Sequence, residues 1–243
     1  MEEAYELNNY LPLSYKTISE QEYITFLWDT YDTNYTYGKF QFAFLAYHML
    51  TMSFIYFNIW QIKQAWPEAF NKGLIGFPRQ EKDLLDATSP FIFSIVNERT
   101  VLRFLKLIAC DNTMIGTYAK LVDDRNNSAH PSGNIFFSTQ IALDTKIVEI
   151  IRVVEEIQNY SKPVIEDCYQ AFLFNSTDAE EREFIDAADQ IREILVHKNY
   201  LSQKDIEFCL GFNISNFSHI PEYENICSLH KKLQAEYREY LVL

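Results

Sequence analysis

Arg125-Asn126-Asn127-Ser128-Ala129-His130 gathers within six residues the side-chain types that phosphodiester chemistry needs. Arginine is a permanent cation whose forked donors suit phosphoryl oxygens. Asparagine donates and accepts, so it can orient a substrate or a neighbouring ring. Histidine moves protons near neutral pH. Pro131 follows directly. It disfavours the α conformation at His130 and predicts that a helix carrying the motif stops there, facing a cleft.

On a continuous helix Asn126 and His130 are four apart and share a face. Arg125 lies about 140° from His130 at 3.6 residues per turn, so it reaches the same phosphate only through its long side chain or a loosened helix end. Spacing alone carries little weight. With the eight arginines and five histidines of this chain, about 0.16 Arg-x4-His pairs are expected by chance. The sequence holds a second, Arg192/His197. There Glu193 follows the arginine and no proline follows the histidine, so that copy reads as the interior of an amphipathic helix. Requiring asparagine after the arginine lowers the chance expectation to about 0.01.

The 125–130 hexapeptide resembles the Arg-polar-x-x-x-His signature of the HEPN superfamily, whose active members are mostly metal-independent ribonucleases; Ala129 matches a common form of it. The resemblance implies an all-α helical bundle with a long pair of core helices and the motif at the end of a later helix. It implies RNA as substrate, neither metal nor cofactor, and a homodimer in which two motifs face one another. In the implied reaction the 2′-hydroxyl of the RNA attacks, His130 moves a proton, Arg125 stabilises charge on the phosphoryl oxygens and Asn126 orients. The setting it suggests is a toxin or anti-phage defence, restrained by an inhibitor or awaiting an activator protein. Ser132 stands where members paired with a nucleotidyltransferase antitoxin carry a tyrosine, so modification of a tyrosine there is not available. The alternative is a noncatalytic HEPN-like module for RNA binding or protein interaction, with Arg125 paired to Asp123, Asp124 or a neighbouring acid and His130 capping the helix. A helical interaction protein unrelated to that superfamily is a third reading.

The elements that must position these residues read as helices. Apolar residues make up 48% of the 243, with only six glycines and seven prolines, which favours an all-α chain. The net charge of −13 counts against a tight nucleic-acid binder. The acid lies in the flanks: residues 1–37 carry −6 and 163–243 carry −8, while 38–107 carry +3. The expected organisation is an acidic N-terminal extension at 1–37, a HEPN-like helical core at 38–162 and a C-terminal helical extension at 163–243. Its acidic helices are either a solvated face or an RNA mimic.

Ser19-x-x-Glu22 has a capping-box pattern, and 32–38 reads as a connector. A long helix is expected from Lys39 to Trp66, and a loop from Phe70 to Pro78. A short helix starts near Arg79, and another runs from Ser89-Pro90 to Cys110. Asp111 or Asn112 caps the motif helix. A helix from Ser138 to Tyr160 is followed by a break or restart at Pro163, a further helix from Val164 to Phe174, and then helices at 179–197, 202–210 and 222–241.

Arg99, Arg103 and Lys106 lie four and three apart and share a face if helical; they are a solvated basic face or a substrate-binding strip for phosphates. Phe136 and Phe137 serve the core or a dimer interface. Phe42–Phe57 is apolar but shorter than the roughly 20 residues of a membrane span, and His48, Thr51 and Ser53 interrupt it, so it reads as a buried helix. Cys110, Cys168, Cys209 and Cys227 have no zinc spacing and read as free thiols. With no signal-peptide profile at the N-terminus, the expected location is cytoplasmic.

Overall fold

The computed structural model describes residues 2–77 and 79–240. These are 76% helical with no strand, as the composition predicts. The helices of eight or more residues are α1 (Ile18–Thr36), α2 (Phe40–Ala65), α3 (Asn112–Ala129), α4 (Gln140–Asn175), α5 (Gln203–Leu210) and α6 (Tyr223–Glu236).

Helix α2 is the central post, packed between α1 and α4. Phe44, Tyr47, Leu50, Phe54 and Phe57 are all buried on it. Its polar residues do not break it, because they bond back one turn: Thr51 to the Tyr47 carbonyl at 2.9 Å, Ser53 to Met49 at 2.9 Å and Asn58 to Phe54 at 3.1 Å. By length and composition it is a helix that can cross a membrane, yet 83% of its most apolar window is buried against its own chain.

Several boundaries differ from the sequence expectations. The capping box is Thr17/Glu20, not Ser19/Glu22. Both pairs have the pattern, but the buried Glu20 carboxylate is where donors converge: the Lys16 and Thr17 N–H groups and the Ser89 and Tyr200 hydroxyls. Residues 32–36 are helical rather than a connector, because Tyr31 and Tyr35 bury on the same face; the chain turns at Gly38, with φ +69°. The expected loop from Phe70 is a helix, Pro67–Gly73, with a 3₁₀ turn at Leu74–Gly76. Pro67 starts it, and buried Phe70 stacks on Phe104 at 5.3 Å. Pro78 lies outside the described residues, and the short helix begins at Glu81.

The single helix expected from Ser89 to Cys110 is three pieces: 3₁₀ at Pro90–Ile95, α at Glu98–Val101 and 3₁₀ at Leu102–Ile108. Val96 is extended and Asn97 caps a fresh start through the Arg99 N–H, so Glu98 opens a new turn. Pro163 breaks nothing, and α4 runs 36 residues through it. A proline deletes one ladder bond; Val154, Ile157, Val164 and Ile165, buried on both sides of it, hold the helix together. At the C-terminal end, Asp186 caps a helix at Ala187–Gln190 that continues as a π turn, Ile191–His197, so residues 179–186 are not helical. Helix α6 stops at Glu236, and Leu241 lies outside the described residues.

Two apolar cores result. The first joins α1, α2, α3 and the first half of α4, together with Ala4, Leu7, Tyr10 and Tyr200. The second joins the rest of α4 to Ile191–Val196, α5 and α6. Between them, buried Asp205 accepts from the Ser202 N–H at 2.9 Å, Gln61 Nε2 at 3.1 Å and Gln158 Nε2 at 2.6 Å. Burial raises its pKa against the opposing pull of these bonds. All four cysteines are free thiols.

Candidate functional site

Asp111 opens α3 by accepting the Met114 N–H at 2.9 Å. The helix ends as Pro131 requires: His130 is extended, with φ −77° and ψ 141°, and its N–H donates to the Asn126 carbonyl at 3.0 Å. Gln41 of α2 clips this end in place. Its amide donates to the Ser128 carbonyl at 2.9 Å and accepts the Phe136 N–H at 2.8 Å. Past the clip, Phe137 is buried against Phe44 at 4.2 Å, whereas Phe136 is 45% exposed.

The His130 side chain is exposed and has no hydrogen-bond partner among the described residues; the half-buried Asn126 amide has none either. Arg125 points elsewhere. Its Nη2 lies 2.8 Å from Glu98 Oε2, the same oxygen that the buried His48 Nε2 reaches at 3.1 Å. An ionised carboxylate only accepts, so the His48 Nε2 carries a proton, and Nδ1 is buried without a partner among the described residues. Burial pushes the Glu98 pKa up, but the hydrogen bonds and charges of His48 and Arg125 outweigh it and hold the carboxyl below the usual glutamate range. Of the two acids named for Arg125, Asp123 pairs with Arg99 and Asp124 with Lys146 at 3.0 Å; the acid it meets is Glu98.

Arg125 and Glu98 form one wall of a cavity of about 730 Å³, continued by Asn97, Tyr56, Phe91 and Tyr23. Asn126 and His130 do not line it. The motif is therefore divided: the guanidinium borders the cavity, and the histidine and the Asn126 amide do not. The basic strip also divides. Arg99 turns to α3 through Asp123, whereas Arg103 and Lys106 line a separate groove of about 300 Å³ with Lys72.

No family model, curated protein or solved structure matches the chain. The second hexapeptide lies in the π turn, where Arg192 is held by Asp189 and Glu193, and His197 Nδ1 meets Ser14 Oγ at 3.1 Å. Sequence reasoning missed Gln41, His48 and Glu98. A lone histidine in an apolar run was the only signal for any of them; the contacts of Glu98 span 27 residues to Arg125 and 50 to His48 and leave no local pattern.

Proposed function

We propose that the chain is a metal-independent endoribonuclease of HEPN type that acts as a homodimer, in a cytoplasmic toxin or anti-phage setting. The observation that carries this reading is the exposed, unpartnered imidazole of His130 at the end of α3, with Asn126 one turn below it. Arg125 spends one guanidinium nitrogen on Glu98, and its Nε and Nη1 have no partner among the described residues. Those donors suit the oxygens of a phosphodiester. The RNA 2′-hydroxyl attacks the adjacent phosphorus and yields its proton to an imidazole. The bond from phosphorus to the 5′-oxygen breaks, and that oxygen takes a proton. The products are a 2′,3′-cyclic phosphate and a 5′-hydroxyl. A single ring does not serve both proton transfers in one step, so a second copy of His130 across a dimer supplies the other. Ile135, 70% exposed, and Phe136 next to the motif give that copy an apolar surface to cover.

The Arg125–Glu98 pair favours a second reading, a noncatalytic HEPN-like module in which the arginine ties α3 to the Glu98 turn. Incubation with mixed RNA in EDTA, followed by analysis of the new ends, separates the two. The ribonuclease reading expects 2′,3′-cyclic phosphate ends, absent with Arg125→Ala and His130→Ala and retained with the Arg192→Ala/His197→Ala double variant. Absence of cleavage by every form favours the module.

A further inference from the structure

We propose that the cavity beside Arg125 is a nucleobase subsite for guanine, presented unstacked by single-stranded RNA. This rests on the ribonuclease reading in placing the neighbouring phosphate at Arg125. A volume of about 730 Å³ falls within the range of ligand sites, roughly 300–1,000 Å³. Tyr23, Tyr56, Phe91 and Met52 supply flat rings and a soft thioether, the surfaces on which an unstacked base rests. Tyr23 and Phe91 stand edge to face at 5.2 Å, which fixes that wall.

Besides Arg125 and the Ser19 and Ser94 hydroxyls, three polar groups of the lining lack a partner among the described residues. Glu98 Oε1 receives no donor, since His48 and Arg125 both go to Oε2. Asn97 uses its oxygen on the Arg99 N–H at 3.0 Å and leaves its amide nitrogen free. The Tyr56 hydroxyl is free, and burial and nearby Glu98 push its pKa up to about 12, so it remains a donor. A fitting ligand must donate to a carboxylate and accept from an amide, a hydroxyl or the guanidinium. The Watson–Crick edge of guanine places two adjacent N–H donors, at N1 and the exocyclic amine, beside the O6 acceptor. Adenine, cytosine and uracil each bring a single donor group on that edge, so only guanine fills both lone pairs of the free Glu98 Oε1.

Calorimetric titration of the full-length protein in EDTA with guanosine 3′-monophosphate, beside the adenosine, cytidine and uridine 3′-monophosphates, tests this without reference to cleavage. The guanosine nucleotide is expected to bind about tenfold or more tighter than the others, the effect of one hydrogen bond to a charged group. Glu98→Gln is expected to erase the preference. Because Glu98 also pairs with Arg125 and His48, a second variant is needed: Ser94→Trp, at an exposed rim position of the cavity. It is expected to abolish binding of all four nucleotides while the melting temperature holds. Equal binding of the four, binding of none, or guanosine binding untouched by Ser94→Trp overturns the subsite. RNA cleavage without nucleotide binding overturns it while sparing the ribonuclease reading; guanosine binding without cleavage upholds it and counts against that reading.

Discussion

Arg125/His130 and Arg192/His197 share one spacing and have opposite surroundings. The first pair ends a helix at a proline, which leaves the His130 imidazole exposed and turns Arg125 onto a cavity wall. The second pair lies within a π turn whose next residue, Lys198, is still helical in backbone angles. Its arginine is neutralised by acids three residues before and one after, and its histidine is half-buried against Ser14. Both arginines meet acids; the difference teaches that the histidine of such a pair stays unpartnered where the backbone stops and uncovers it. Pro131, more than the spacing, separates the two.

Four changes break or sharpen this contrast. Arg125→Ala is expected to slow RNA cleavage by about 10²–10³-fold, the usual loss for a removed donor to developing charge, while Arg192→Ala leaves initial rates alone. Equal losses would end the distinction. Asp205→Ala is next. Asp205 holds α5, close to the second hexapeptide, onto α2 and α4, and its removal strands the Gln158 amide and leaves Gln61 only the Tyr200 carbonyl. A loss of about 3 kcal/mol in urea unfolding is expected.

Glu98→Gln is expected to cost about 1–2 kcal/mol through its weakened bonds to His48 and Arg125. The sign with pH follows from the lowered pKa of Glu98. Its contribution is whole above the unfolded glutamate value, about 4.3, and is lost as pH falls through the lower folded value. The gap between wild type and variant should therefore narrow on acidification, and a gap that widens would reverse the assigned cause.

The smallest expected effect concerns His230, which Tyr169 meets at 2.7 Å and Gln234 at 3.0 Å in the second core. Burial lowers its pKa. Its contribution is undiminished above about pH 6.5, the unfolded value, and declines below that until the folded ring also protonates. Melting temperatures at pH 7.5 and pH 5.5 should fall further for wild type than for His230→Gln.

Much of the scaffold around the first pair was legible because its signals are local. The cap at Asp111, the stop at Pro131 and the extent of α2 each follow from a few adjacent residues. The segment from Pro90 to Ile108 misled because apolar residues three apart fit both a 3₁₀ and an α period, and Asn97 restarts the chain without a glycine or proline to mark it. Pro163 misled because burial on both sides outweighs one missing bond. Of the site, Arg125, Asn126 and His130 stood out by type, whereas Glu98 and His48 meet Arg125 only through the tertiary fold. The cavity they border has no sequence signature.

The central claim is that the helix-end histidine, and not its twin, does the chemistry. The most direct measurement is single-turnover cleavage of one labelled RNA in EDTA by His130→Ala beside His197→Ala, with melting temperatures recorded for both. The account predicts a loss of about 10²–10⁴-fold for His130→Ala, the usual contribution of a general acid or base, and wild-type rates for His197→Ala. Cleavage that survives His130→Ala at the wild-type rate would contradict it.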